Sequence, residues 1–144
     1  MPENELKKIL ERAVKNLFMG QPNIYKFTPE TGQSEWNLAH HLANEIHRFF
    51  PRYDCDLDII KCNFEDKRPD IIFHKRGGHK SNFLVIEIKR DKGSVEIADD
   101  IRKIKSYWFK YPLNYKFGAV VNLKKDKTSE MQVFKDTSIE TPLF

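Results

Sequence analysis

Three ionisable side chains, Asp70, Glu87 and Lys89, stand at the ends of two apolar runs in the middle of a 144-residue chain. Asp70 sits at the mouth of Pro69-Asp70-Ile71-Ile72-Phe73, and Glu87-Ile88-Lys89 ends the run Phe83-Leu84-Val85-Ile86. The Arg76-Gly77-Gly78-His79 segment between them reads as a turn, so the stretch Arg68–Arg90 predicts a β-hairpin. Residues two apart in a strand share a face, and Glu87 and Lys89 therefore project together. Antiparallel pairing can bring Asp70 to the same edge of the sheet. A strand that is apolar on both faces belongs at the centre of a sheet, where charges are costly unless paired or metal-bound.

Such a grouping suits metal-dependent hydrolysis. Two adjacent carboxylates repel, which raises at least one pKa. A hard divalent cation relieves the conflict, because Mg²⁺ takes carboxylate oxygens together with waters and substrate phosphate. The ion polarises a phosphoryl oxygen and helps to generate hydroxide from bound water. A neighbouring lysine can orient that water or stabilise the negative transition state. The main-chain carbonyl of Ile88 lies between the two functional side chains and is a candidate further ligand. A third acid arriving from a helix would complete the pocket.

The elements that must position these groups can be read along the chain. Residues 3–19 carry an apolar stripe of Leu6, Ile9, Leu10, Ala13, Val14, Leu17 and Phe18, with Gly20 placed as a helix C-cap. After a loop over Gln21–Gln33, Ser34 is a candidate N-cap for a second helix that runs to about Phe50 and stops at Pro51. Glu35 lies in its first turn and precedes Leu38, Ala39 and Leu42 by three, four and seven residues, which places it on the inward face. It is the candidate third acid; its plainer role is a carboxylate at the positive end of the helix dipole. His40, His41 and His47 share this helix, but neighbours diverge by about 100° and His40 and His47 stand about 10.5 Å apart by helical rise, so no zinc site is expected.

Tyr53–Cys62 alternates loosely and reads as a strand, followed by a polar connection over Asn63–Arg68 and the hairpin strands Asp70–Lys75 and Asn82–Arg90. Ser94 is a candidate N-cap for a helix from about Val95 to Lys110, with Ile97, Ile101, Ile104, Trp108 and Tyr111 as its stripe and Pro112 at its end. Tyr115–Leu123 is a strongly apolar strand after a helix, the mark of a crossover in a mixed sheet, and Met131–Lys135 is a short edge strand. The expected order is α-α-β-β-β-α-β-β, an α/β fold with about five strands in a mixed central sheet flanked by helices.

Bulk properties set the frame. A chain of 144 residues with 40% hydrophobic and 32% charged residues predicts one globular domain with a sizeable core, spanning 1–144. No apolar run approaches the roughly 20 residues of a membrane span, so no membrane partner is expected. The start MPENELKK lacks an apolar signal region, and two cysteines, Cys55 and Cys62, suit a reducing, cytoplasmic setting. A net charge of +4 and a pI near 9.0 permit a polyanion partner without requiring one. Arg102, Lys103, Lys105 and Lys110 could meet phosphates, although a solvated helix face explains them equally. Tyr107, Trp108 and Phe109 could stack on bases, with Trp108 better suited to the core. His74, on the face of Asp70, is a candidate substrate or metal-shell contact, or else a satisfied polar contact.

The motif Pro69-Asp70, 16 intervening residues, then Glu87-Ile88-Lys89 resembles the PD-(D/E)xK nuclease superfamily. The likeness extends to the flanking order of elements, covers about residues 34–123, and is closest to small stand-alone bacterial members of uncharacterised role. Their lines read much like Ser34-Glu35, Tyr53-Asp54-Cys55, Arg68-Pro69-Asp70-Ile71-Ile72 and Val85-Ile86-Glu87-Ile88-Lys89. The resemblance implies a restriction-endonuclease-like core, dependence on Mg²⁺ or Mn²⁺, and hydrolysis of phosphodiesters, with DNA ahead of RNA. It implies that Asp70 and Glu87 are metal ligands, Lys89 the catalytic lysine and Glu35 the helix acid. Some members carry Gln-x-x-x-Tyr on the following helix; here Lys103-Ile104-Lys105-Ser106-Tyr107 has lysine in place of glutamine, which sets the chain apart from that branch. Competing expectations are an inactive nucleic-acid-binding or protein-interaction module on the same fold, and a homodimer or a subunit whose accessory partner supplies specificity.

Overall fold

A computed structural model of the chain describes residues 1–27, 32–57 and 69–137, with side chains described from Trp36 onward in the helix that begins at Gly32. Helix α1 spans Glu3–Gly20 and α2 spans Gly32–His47. Strands β1 (Asp54–Leu57), β2 (Ile71–His74) and β3 (Leu84–Arg90) follow, then α3 (Ser94–Lys103), which continues as a π-helical turn over Ile104–Trp108. Strands β4 (Phe117–Leu123) and β5 (Ser129–Lys135) are the last elements among the described residues, an α/β fold in the order read from the sequence. The sheet runs β1-β2-β3-β4-β5; β3 and β4 are parallel across the α3 crossover, and all other pairs are antiparallel.

Side-chain alternation in the strands divides the interior in two. Ile86 and Ile88 of β3 join Ile71, Phe73, Ala119 and Val121 on one face, against α1 and α2. The α1 stripe is buried there through Leu6, Leu10, Ala13, Val14, Leu17 and Phe18, and α2 contributes Leu38, Leu42 and Ile46. The opposite face carries Ile72, Val85 and Val120, covered by Ile104, Trp108, Leu113 and Tyr115. Glu87 and Lys89 alternate with Ile86 and Ile88, so they project on this second face, toward α3.

Several boundaries differ from the sequence expectation. Gly20 closes α1 from inside, and Gln21 caps it with an extended φ of −136° and an amide donated to the Leu17 carbonyl, so no left-handed glycine is needed. α2 ends at His47, whose ring donates 2.8 Å to the Tyr53 carbonyl, and Phe49 past its end is exposed. Ser94 is the first residue of α3, and the N-cap is Gly93 without a side-chain bond. Past Lys103 the helix widens, with the Phe109 amide donating to the Ile104 carbonyl five residues back. Helical phase is lost there, so Tyr111 stands exposed, and Phe109 and Leu113 fill the core in its place. β5 starts at Ser129 rather than Met131 and is an edge strand as expected. Cys62 and the expected strand end and connection over 58–68 lie outside the described residues, while Cys55 is a free thiol pushed up to about 12 by burial.

The π turn sits directly over β4. A Cβ at Gly118 would lie 2.6 Å from Cγ2 of Ile104 and 2.7 Å from the Phe134 ring, so any larger residue would force one of these side chains to shift. Gly118→Ala is expected to destabilise the fold by about 1–3 kcal/mol. Thermal unfolding measures this as roughly 2–4 °C for each kcal/mol in a chain of this size. An unchanged melting temperature would show that Ile104 and Phe134 yield without cost.

Candidate active site

β2 and β3 pair only as far as Ile71 with Ile86, and beyond this point β3 pairs with no other strand along that edge among the described residues. A lone strand leaves amides without partners. The Ile88 amide is satisfied instead by Asp70, whose Oδ2 accepts it at 2.6 Å. Asp70 is thereby fixed at the mouth of the opening between the strands. The N–H and C=O of one strand residue point to the same side, which puts the Ile88 carbonyl on this edge too.

Glu87 is the most perturbed acid. It is 6% exposed, hydrogen-bonded to the Asp70 carboxyl, and held well above the usual carboxylate range. Burial is the largest cause, followed by the Asp70 charge and that hydrogen bond, then by Asp100, with Lys103 opposing. The second positive group, Lys89, lies two residues on along the same face and places its Nζ 3.1 Å from Asp100 Oδ2. Lys103 Nζ approaches Asp100 Oδ1 at 3.7 Å. Asp70, Glu87 and Asp100 thus face Lys89 and Lys103, and a proton on Glu87 makes the group electrically neutral.

Asp100 is the residue that sequence reasoning missed. It lies three residues after Ile97, one before Ile101 and four before Ile104, on the inward stripe of α3, and it is 3% exposed. An acid at an apolar-stripe position was the available signal, the same one that singled out Glu35. Its Oδ2 meets Lys89 as an ion contact but makes no aligned hydrogen bond. The Glu35 side chain lies outside the described residues, although its helix can be oriented. His47 and Phe50, at the far end of α2, pack on Phe73, and Phe50 also packs on Phe83 beside the start of β3. A helix of 16 residues is about 24 Å long, similar to the seven residues of β3 at roughly 3.3 Å each. The first turn of α2 therefore lies toward the Arg90 end of β3, the end that carries Glu87 and Lys89.

The remaining sequence candidates separate. Lys103 joins the site, while Arg102 is exposed and paired with Asp99 at 2.9 Å. Lys105 lies over the Phe134 ring at 5.5 Å, and Tyr107 packs against the second core. His74 is buried with Nε2 2.6 Å from Asp56, which also receives two bonds from Arg76. Arg76 above all, then His74, holds Asp56 down to about 2. The His74 ring is therefore a satisfied polar contact and not a surface group for nucleic acid.

Among the described residues, no three acidic, imidazole or thiol side chains converge closely enough to enclose a metal by themselves. Mg²⁺ does not require this, since it is commonly bound through one or two carboxylates with waters and substrate phosphate. Asp70 and Glu87 supply such a pair, and the pressure of burial and of the Asp70 charge that raises Glu87 is the pressure a cation would relieve. The buried Asp100 oxygen without an aligned hydrogen bond is a further hard donor nearby. The residues fit Mg²⁺ or Mn²⁺.

The raised pKa has a sign for stability. Glu87 keeps its proton in the folded state above 4.5, where the unfolded chain loses it, so this group makes stability fall as pH rises through that range. Glu87→Gln is expected to melt higher than the parent at neutral pH without added metal, with the gap shrinking toward pH 4. Equal melting curves at pH 5 and pH 8 would refute this. Comparison of the chain with protein-family models, with curated proteins and with solved structures finds no match.

Proposed function

We propose that the protein is a metal-dependent nuclease that hydrolyses phosphodiester bonds, in DNA ahead of RNA, on a restriction-endonuclease-like core. The observation that carries this reading is the contact of the buried Glu87 carboxyl with the half-buried Asp70 carboxyl at the point where β2 and β3 part, with Lys89 on the same face as Glu87 two residues away. A stable fold has no need of a buried acid set against a second, half-buried one, since a neutral or apolar pair would cost less. Perturbed acids with specific charge partners mark functional sites more often than packing sites. The helix–sheet–helix layering and the parallel β3–β4 crossover support the fold assignment.

Asp70 and Glu87 would hold Mg²⁺ or Mn²⁺, with the Ile88 carbonyl on the same edge. When bound, such an ion supplies Lewis-acid polarisation of the phosphoryl oxygen and lowers the pKa of a coordinated water. Glu87 would give up its proton for this, and a positive charge beside it would favour that loss against its burial. Asp70 stays oriented through the Ile88 amide. Lys89, 23% exposed, directs its ammonium to the site while Asp100 fixes its position. There it stabilises negative charge that develops on the phosphorus oxygens. Lys103 neutralises the other Asp100 oxygen, so Asp100 does not hold Lys89 out of reach of substrate.

The test is cleavage of supercoiled and linear DNA in Mg²⁺ or Mn²⁺, with EDTA as the blank. Lys89→Ala is expected to lower the rate by about 10²–10³-fold, the scale of losing one transition-state charge partner. Glu87→Ala is expected to abolish it. Cleavage that survives in both purified variants would belong to a contaminant, and a wild-type protein that binds DNA but never cuts it would favour a non-catalytic module.

Metal binding can be followed without turnover. Calorimetric titration with Mn²⁺ is expected to show binding by the wild type and its loss in Asp70→Ala, with proton release that reports Glu87. Unaltered Mn²⁺ binding by Asp70→Ala would remove Asp70 from the ligand set.

A further inference from the structure

The Arg90 end of β3 carries more than the acids. The segment before α2 is fastened there: Tyr25 donates its hydroxyl to Asp91 at 2.5 Å, Arg90 donates to the Tyr25 carbonyl at 3.0 Å, and the guanidinium lies 4.4 Å from the centre of the Tyr25 ring. Two residues beyond this latch, Phe27 is 71% exposed. Trp36, in the first turns of α2 at the same end of the sheet, is 56% exposed. Each of these large aromatic rings is held open to water and forgoes burial, next to a segment that is itself anchored.

Lysines share this rim. Lys26 places its Nζ 5.3 Å over the Phe27 ring. Lys92 is exposed, and its backbone is held at both its amide and its carbonyl by the Asn122 side chain. Lys125 is exposed, with its amide bound to Asp91 Oδ2 at 3.2 Å. Asp91 itself is engaged by Tyr25 and Lys124. Exposed rings interleaved with fixed positive charges match a polyanion that offers flat apolar faces, which is an unpaired nucleic-acid strand. A duplex keeps its base faces stacked on one another and offers phosphates and base edges, with no ring face for an aromatic side chain to stack on.

We infer that Phe27 and Trp36, with Lys26, Lys92 and Lys125, form a stacking platform at the mouth of the candidate site, and that the substrate is a single strand or an unpaired end rather than intact duplex. This rests on the nuclease reading for its meaning, though binding can be measured apart from cleavage. The platform takes the bases while the lysines track the backbone toward Lys89.

The test uses the full chain in EDTA, so that nothing is cut, with fluorescein-labelled oligo(dT), oligo(U) and a duplex of equal length read by anisotropy. The single strands are expected to bind more tightly than the duplex, and the two single-strand arms separate DNA from RNA. Phe27→Leu and Trp36→Leu preserve apolar bulk but remove the ring face. Each is expected to weaken single-strand binding by roughly 5- to 150-fold, which corresponds to stacking of about 1–3 kcal/mol. Val95→Ala, at another exposed apolar side chain of this rim, is expected to bind as the wild type. Duplex binding as tight as single-strand binding, or leucine variants that bind like wild type, would overturn the inference, including the case in which the rim serves a protein partner. Loss of cleavage in Lys89→Ala with intact stacking leaves the platform standing, and a wild type that stacks single strands but never cuts in Mg²⁺ refutes the nuclease reading alone.

Discussion

The end of the β2–β3 pairing at Ile71 and Ile86 governs the rest of the structure. One step further, the Ile88 amide finds a partner other than a strand, and among the described residues that partner is the Asp70 carboxylate. This one hydrogen bond turns a strand terminus into an acid held at a fixed place. Because Glu87 precedes Ile88 and lies on the opposite side of the pleat from Ile86, its carboxyl meets Asp70 as soon as the bond forms. The proton that Glu87 retains, the ion contact of Lys89 with Asp100 and the approach of Lys103 all follow from relieving negative charge at that place.

The sequence made the scaffold legible because burial leaves a periodic trace. The α1 stripe, the apolar β3 and β4 and the crossover between them all appear where their patterns place them. The acids of the site were legible for the opposite reason, since each interrupts such a pattern. Asp100 escaped because its helix was read for its apolar and basic residues, and an acid flanked by Asp99 and followed by Arg102 and Lys103 passes for a solvated face. His74 shows the reverse difficulty. Its strand position put it beside Asp70, but the Asp56–Arg76 pair across β1 captures the ring, and no local pattern announces a partner 18 residues away.

The boundaries that shifted did so through tertiary contacts. Tyr111 fits a regular 3.6-residue stripe, yet the π turn breaks the phase because Ile104 must seat on Gly118 while Trp108 meets Tyr115. Gly20 suits a C-cap by type, but the helix runs through it to Gln21, and the following turns lead to Tyr25 and its latch on Arg90. In both cases a local preference gave way to what the sheet required of the connecting segment.

The strand order has its own consequence. Each strand of the sheet lies beside its neighbour in sequence, from β1 to β5, so no pairing waits for a distant part of the chain. Loop-closure entropy stays low for such a sheet, and topologies rich in sequence-local contacts form quickly. The longest closure in the sheet is the α3 crossover, and α3 is the element that carries Asp100 to Lys89. The ion contact of Lys89 with Asp100 thus depends on closure of the longest loop in the sheet.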